Sequence, residues 1–441
     1  MHGPPAKLYP PAPAPRLKPL GPLALLRVLA KNPLEAWTQA HCEQPIVMGG
    51  LSIGRVALVS DPAAIRRVLS AGLTNGLLTA EGQQWRVQRR ALAPLFARRT
   101  VMSVSAAMVD AAAALVERLT LRDGEIEDVA VEVTRLTLKV LERTMFSEGL
   151  GRRTEEIRVA MKHYFEAIGR LDPFNVLGLP NVMPRLSRRK LRPMLSLFES
   201  AIDAIVSTRR RRIAEDPSGV PRDILTLLLE ARDPETGAGL SEFEVRANIL
   251  TLIFAGHETT ANSITWTLFL LSQSPEWRSR VEAEADRELD GDIDGLSERL
   301  VETRAVIDEA NRLYRPIAAI SRAALAPDEL AGEPIRRGTM VVIAPYVLHR
   351  HRALWADPDV FDANRFLDGA HERIDRFPYL PFGVGPRVCI GAALAMQEAS
   401  IVVATVMRNF TLQLAPGHAV WPMHRVTIRP NGGLPVIVRR R

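Results

Sequence analysis

Residues 241–272 constrain the fold more than any other part of this sequence. Ser241, with Glu244 three residues on, makes a capping box that opens a helix. From 249 to 271 the run is apolar enough to suggest a bilayer span, yet His257 and Glu258 stand in its middle. Ionisable side chains at bilayer depth are costly, so the run reads as a long helix buried in protein. The rest of the chain must then supply the wrapping.

Inside that helix lies Ala255-Gly256-His257-Glu258-Thr259-Thr260. A zinc site of the His-Glu-x-x-His kind is excluded, because position 261 is Ala261. Gly256 weakens the helix and is expected to admit a ligand close to its backbone. Thr259 can bond back to a carbonyl one turn earlier and open a local bulge. Glu258 and Thr259 together could hold water and pass protons, or the glycine could mark a structural kink alone.

The second informative stretch is Pro381-Phe382-Gly383-Val384-Gly385-Pro386-Arg387-Val388-Cys389-Ile390-Gly391, which opens into a helical run from Ala392. Its glycines let the backbone turn tightly and approach a large flat ligand. A sulfur near a helix start meets unpaired N–H groups, which favour thiolate over thiol. The alternative is a buried free cysteine in an ordinary loop.

Composition narrows the classes. The 441 residues are 47% hydrophobic and 24% charged, an ordinary globular balance, with no break dividing them. The net charge of +7 comes mostly from arginine, but aromatics are only 5% and no Arg/Lys stripe alternates with them. Nucleic acid is therefore not expected; a basic docking face for an acidic protein is. Cys42 and Cys389 cannot make a disulfide framework, and Cys42 reads as structural. Residues 1–15 are Pro- and Ala-rich and expected to be extended or disordered. Residues 20–29 are too short to span a bilayer and lack a cleavage pattern, so a cytoplasmic protein with no integral membrane segment is expected.

Along the chain, residues 34–42 read as a short helix and 45–60 as two strands. Asp61 and Pro62 start another helix as cap and first residue. A helix from near Thr79 puts Trp85 and Arg89 on one face. Amphipathic helices fill 101–229, broken by a loop at 171–184 and a turn at 218–221. The basic run 209–212 reads as a solvated face. Residues 300–314 form a helix ended by Pro316, 317–322 are extended, and 339–343 are β-rich. Residues 425–438 read as a hairpin turning at Asn431-Gly432-Gly433, with 439–441 a frayed tail.

The order Phe382-x-x-Gly385-x-Arg387-x-Cys389-x-Gly391 resembles the haem-binding signature of the cytochrome P450 family. The hexapeptide resembles that family's oxygen-activating groove. Glu309-x-x-Arg312 and Phe361-Asp362-Ala363-Asn364-Arg365-Phe366 resemble two further motifs, with Ala363 where a proline is usual. The resemblance implies a mainly α fold with a minor β part, residues 34–441 as one haem domain behind a Pro-rich 1–33 segment. It places haem b (iron protoporphyrin IX) between the long central helix and the helix after Cys389.

By the same resemblance Cys389 is the axial ligand, Phe382 packs beside the sulfur, and Gly391 belongs to the cofactor loop. Trp85, Arg89, Arg322 and Arg387 would meet haem propionates. Thr259 would stabilise bound dioxygen and Glu258 relay protons. Phe254, Ala255, Ile317, Ala319, Val426 and Thr427 would face a small apolar organic substrate. Glu309, Arg312 and Arg365 would brace the cysteine loop. The short 70–78 segment, where relatives carry a lid, implies a more open mouth or a truncated sequence. The implied activity is O2-dependent hydroxylation, with electrons from a separate ferredoxin or flavodoxin and its NAD(P)H reductase. A peroxide-driven enzyme, or a haem-thiolate sensor or carrier, are the alternatives; the intact Glu258-Thr259 pair argues against the first.

Overall fold

Helices dominate, and the longest runs through the middle. The computed structural model describes residues 7–51, 54–70, 82–147, 154–169, 186–369 and 374–441. Helices of ten or more residues are numbered α1 (Pro22–Lys31), α2 (Gly82–Leu92), α3 (Ser105–Thr120), α4 (Val129–Phe146), α5 (Thr154–Ile168), α6 (Leu186–Glu215), α7 (Glu242–Gln273), α8 (Pro275–Glu288), α9 (Val301–Tyr314) and α10 (Ala392–Asn409). The capping box at the start of α7 is present, with the Ser241 N–H donating to Glu244 at 2.9 Å.

From 260 to 271 every residue of α7 is buried. Buried polar groups need partners, and here they find them. Ser263 donates to Asn311 Oδ1 (2.9 Å), Thr265 to the Ala261 carbonyl (2.7 Å), and the Trp266 indole to the Ile428 carbonyl (3.1 Å). The main core gathers α3, α4, α7, α8, α9 and α10 around this half. A second core joins α4, α5 and α6 to the first half of α7.

The β part is small. One sheet has the order β1 (Ile46–Leu51), β2 (Gly54–Val59), β7 (Met340–Ile343), β4 (Ile320–Ala323), with only β2 and β7 parallel. It covers a third core. β11 (Pro435–Arg440) lies between β3 (Ile126–Asp128) and β8 (Phe410–Leu414). β9 (Pro422–His424) pairs with β10 (Ile428–Pro430), and β5 (Asp328–Leu330) with β6 (Glu333–Ile335).

Several expectations are corrected. Residues 425–438 are no hairpin: β10 and β11 belong to different sheets, and Gly432 and Gly433, both at φ +82°, turn the chain between them. The apolar alternation on either side of the turn reflects two separate cores. The tail is not frayed, because β11 reaches Arg440 and Arg441 pairs with Asp286 at 3.0 Å. Arg209 is not solvated; it is buried, and Asp223, Thr226 and the Phe146 carbonyl take up its guanidinium. Residues 34–42 are a 3-10 turn, Pro33–Ala36, and a helix, Gln39–Glu43, separated at Trp37 and Thr38. Of the two expectations for the N-terminal stretch, the extended one holds for the described residues 8–16, which are tied down, with Leu8 bridged to Phe361 and the Tyr314 hydroxyl donating to the Pro11 carbonyl at 2.7 Å. The loop at 171–184, the segment 71–78 and the helix start near Thr79 lie outside the described residues.

Candidate active site

The cysteine loop folds back on itself before α10. Gly383 (φ +73°) and Gly385 (φ +79°) take left-handed conformations that favour glycine, and the Cys389 N–H donates to the Phe382 carbonyl at 2.9 Å. Phe382 and Cys389 are thereby set side by side. Cys389 is exposed in surface area yet crowded by protein, as a side chain facing an internal hollow would be. Burial pushes its thiol above the ordinary value, against the Gly391 N–H and the charges of Arg315 and Arg89. The helix start alone therefore does not make a thiolate. A positive centre bonded to the sulfur would.

Cations surround the hollow. The Arg387 guanidinium lies 4.7 Å from the Trp85 ring centre, which joins the cysteine loop to α2. One turn on, Arg89 is close enough to interact electrostatically with Cys389. Burial lowers the pKa of Arg89, of Arg322 and of Arg315, the last to about 10. Among the described residues none of these three makes an ion pair with a carboxylate. Arg315 is buried and Arg89 and Arg322 are half-buried; cations withdrawn from water without counter-ions are costly, so the site suits a ligand that carries negative charge. A thiolate-ligated haem with two propionates fits this donor set.

On α7, Ala255 is exposed although the helix is enclosed, so this turn faces the hollow. Thr259 donates to the Ala255 carbonyl at 2.6 Å, the expected back-bond, but α7 stays continuously helical with no bulge. Gly256 does not open the backbone to a ligand. A Cβ there would meet Leu141 Cδ1 at 3.1 Å, so the glycine lets α4 pack close. Ala319 is exposed and Ile317 half-buried on either side of buried Ala318. Phe254 is held by Tyr164, Phe165 and Phe198 at ring-centre distances of 5.1, 5.5 and 5.2 Å. Val426 is half-buried against the second core.

Thr427 is placed differently from expectation. It is 1% exposed, and its hydroxyl donates to Glu258 Oε1 (2.8 Å) while accepting from Asn262 Nδ2 (3.0 Å). Burial raises the Glu258 carboxyl, with Arg429 and Glu166 nearby. Glu258 and Thr259 thus hold different partners.

The brace is buried but indirect. Arg312 grips Glu309 with two bonds (2.7 and 2.8 Å), while Arg365 stands 3.7 Å from Glu309 and donates to the Asp357 carbonyl instead. Among the described residues the trio's hydrogen bonds outside itself go to His349, Pro358, Val360, Asp357 and Asp362. His349, which sequence reasoning passed over, carries the connection: the Leu380 N–H donates to its Nε2 at 2.9 Å. The other nitrogen must then hold the proton, and Nδ1 donates to the Arg312 carbonyl at 3.2 Å. Arg315 was missed as well, since a lone arginine before a proline carries no signal of its own. Its Nε donates to the Pro381 carbonyl (2.8 Å) and its Nη1 to the Ile317 carbonyl (2.9 Å).

Known proteins resemble this chain along most of its length. The chain is 30% identical over 407 residues to cyclooctat-9-en-7-ol 5-monooxygenase of Streptomyces melanosporofaciens, covering 88% of this chain and 87% of that protein. It is 33% identical over 396 residues to putative cytochrome P450 132 of Mycobacterium tuberculosis, covering 84% and 81%. The structure of the haem domain of cytochrome P450DA superposes with a TM-score of 0.85 at 26% identity, over 98% of each chain. No described helix is long and apolar enough to cross a membrane. The Cytochrome P450 family model spans residues 14–434, from the extended N-terminal segment through the cysteine loop to the last glycine turn, and the chain belongs to the cytochrome P450 monooxygenase family.

Proposed function

We propose that this protein hydroxylates an apolar organic substrate, R–H + O2 + 2 e− + 2 H+ giving R–OH + H2O. The observation that carries the reading is the exposed Cys389, in electrostatic reach of buried Arg315 and half-buried Arg89, neither of which pairs with a carboxylate among the described residues. Haem b, when bound through that sulfur, supplies oxygen activation, and a thiolate ligand favours O–O cleavage. Arg89, Arg322 and Arg387 would hold its propionates, with Trp85 backing Arg387 and Phe382 and Gly391 shaping the sulfur's surroundings. Residues 34–441 would act as one catalytic domain, with 1–33 as an N-terminal segment.

The chain's own groups do the rest. Ala255, Ile317, Ala319, Phe254 and Val426 present apolar surface to a substrate and exclude water. The hydroxyl of Thr259, oriented by the Ala255 carbonyl, is placed to hold a small ligand or water. Glu258, its carboxyl raised by burial and its Oε1 accepting from Thr427, is the group assigned to relay protons. A relative named for a monooxygenase acting on cyclooctat-9-en-7-ol suits a bulky apolar substrate.

Electrons would come from a separate acidic ferredoxin or flavodoxin served by an NAD(P)H reductase. A groove of about 540 Å³ lies against the cysteine loop at Pro381, Phe382, Ala392 and Met396, with Arg304, Arg376, Asp308 and the paired Arg98 and Glu298 on its walls. A cytoplasmic setting suits such donors.

The test is the reduced carbon-monoxide difference spectrum of haem-loaded protein, with Cys389→Ser as control. A thiolate-type red-shifted band lost in the control is expected; its absence from folded, loaded protein would sink the reading. Product formation with donor proteins and NAD(P)H, and little with peroxide alone, separates the monooxygenase from a peroxide-driven enzyme.

A further inference from the structure

Arg315 is the first residue beyond α9, and its side chain is 5% exposed. Its position next to Pro316 ends the helix, and the side chain turns inward. The guanidinium spans two segments, donating to the Ile317 carbonyl at the start of the extended run and to the Pro381 carbonyl at the start of the cysteine loop. The next residue in the loop, Phe382, accepts from the Cys389 N–H. A short chain of hydrogen bonds thus links the guanidinium to the backbone of the cysteine.

Two neutral carbonyls do not neutralise a buried guanidinium. Arg312, close by in sequence, shows the usual solution, a two-bond pair with Glu309. Arg315 has no such carboxylate among the described residues. The anion nearest in kind is the sulfur of Cys389, with which Arg315 interacts electrostatically. Inside protein a charge is screened far less than in water, so a fixed cation here acts on that sulfur strongly.

We propose that Arg315 is a positioning residue that, through the Pro381 carbonyl, holds a fixed positive charge beside the Cys389 thiolate and raises the reduction potential of the metal bound there. Reduction adds one electron to the site, and a nearby cation favours the more negative state. The proposal rests on the haem-thiolate reading of Cys389 and adds a residue that no motif of the sequence marks.

The test compares Arg315→Gln, which keeps a donor for Pro381 without the charge, with Arg315→Lys, which keeps the charge. Both are loaded with haem and their ferric–ferrous midpoints measured by spectroelectrochemistry beside the parent. In Arg315→Gln the ferric form should be favoured at least tenfold at a fixed potential, 59 mV for one electron. In Arg315→Lys the change should be less than threefold. A parent-like midpoint in Arg315→Gln, or equal shifts in both variants, overturns the proposal. If only Arg315→Lys takes up haem, the charge serves cofactor loading and the proposal falls. If neither does, Arg315 is a brace and the proposal falls. Lack of a thiolate-type carbon-monoxide band in the parent would instead overturn the haem-thiolate reading.

Discussion

Thr427 donates its hydroxyl hydrogen to Glu258 Oε1 across 2.8 Å, and this bond ties the turn before β10 to the middle of α7. Asn262, one helical turn beyond Glu258, holds the same hydroxyl from the other side. Thr427→Val removes the bond with little change in shape and leaves Glu258 and Asn262 unanswered in a buried place. Losing one such partner costs about 1–3 kcal/mol. Product formation per NAD(P)H should fall roughly tenfold, about 1.4 kcal/mol, with more peroxide released and substrate binding unchanged. Glu258→Gln should cost more, about a hundredfold or beyond for a lost proton donor. Unchanged coupling in Thr427→Val would show that the bond is structural only.

The Glu309–Arg312 pair is wholly buried, and Arg312 also donates to the carbonyls of His349, Pro358 and Val360. Arg312→Met leaves three carbonyls without their donor and leaves Glu309 with only the Asp362 N–H at 2.9 Å and Arg365 at 3.7 Å. Breaking one side of a buried pair costs about 3–5 kcal/mol. The free energy of urea unfolding should drop by that amount, and haem uptake should weaken through His349 and Leu380. Replacing Glu309 and Arg312 together should cost less than the sum of the single changes.

Gly256→Ala gains about 1 kcal/mol of helix propensity but places its methyl 3.1 Å from Leu141 Cδ1. Overpacking of this kind costs about 1–3 kcal/mol, so a net loss of at most about 2 kcal/mol is expected. Adding Leu141→Ala should recover part of the loss attributable to the clash. Thermal melts of both variants and the pair would show this, and additivity would mean that α4 simply moves aside.

His257 is buried, and neither ring nitrogen finds a partner among the described residues. Burial lowers its pKa from 6.5 to about 4. Between those values the unfolded chain binds a proton that the folded protein refuses, so its contribution is present above pH 6.5 and lost as pH falls toward 4. The loss reaches about 3 kcal/mol at the acid end. Chemical unfolding across this window should show a steeper acid decline in the parent than in His257→Asn. Parallel curves would mean that water reaches the ring.

The sequence made the long helix and the cysteine loop legible because each rests on local chemistry: a capping box, an unbroken apolar run, glycines where φ turns positive. Gly256 was misjudged because a missing side chain says nothing about which neighbour fills its space, and Leu141 comes from another helix. Thr427 looked like a pocket residue from its place in the chain; its hydroxyl partners, Glu258 and Asn262, are far off in sequence. Arg315 and His349 share that difficulty, since what they bind is backbone, and a carbonyl leaves no mark in a sequence. The false hairpin at 431–433 arose from correct turn residues serving two unrelated sheets.

The four rings at Phe254 have a consequence for selectivity. Tyr164 stacks on Phe254 at 21° between ring planes, while Phe165 and Phe198 meet it edge-on at 69° and 79°. Interlocked rings in stacked and edge-on contact cannot swing independently, because each blocks its neighbour's rotation. On the proposed reading that Phe254 borders the substrate, that side of the site would behave as a rigid template and not as an adaptable lining. It would discriminate among guests by outline, refusing those that are too wide instead of reshaping to greet them.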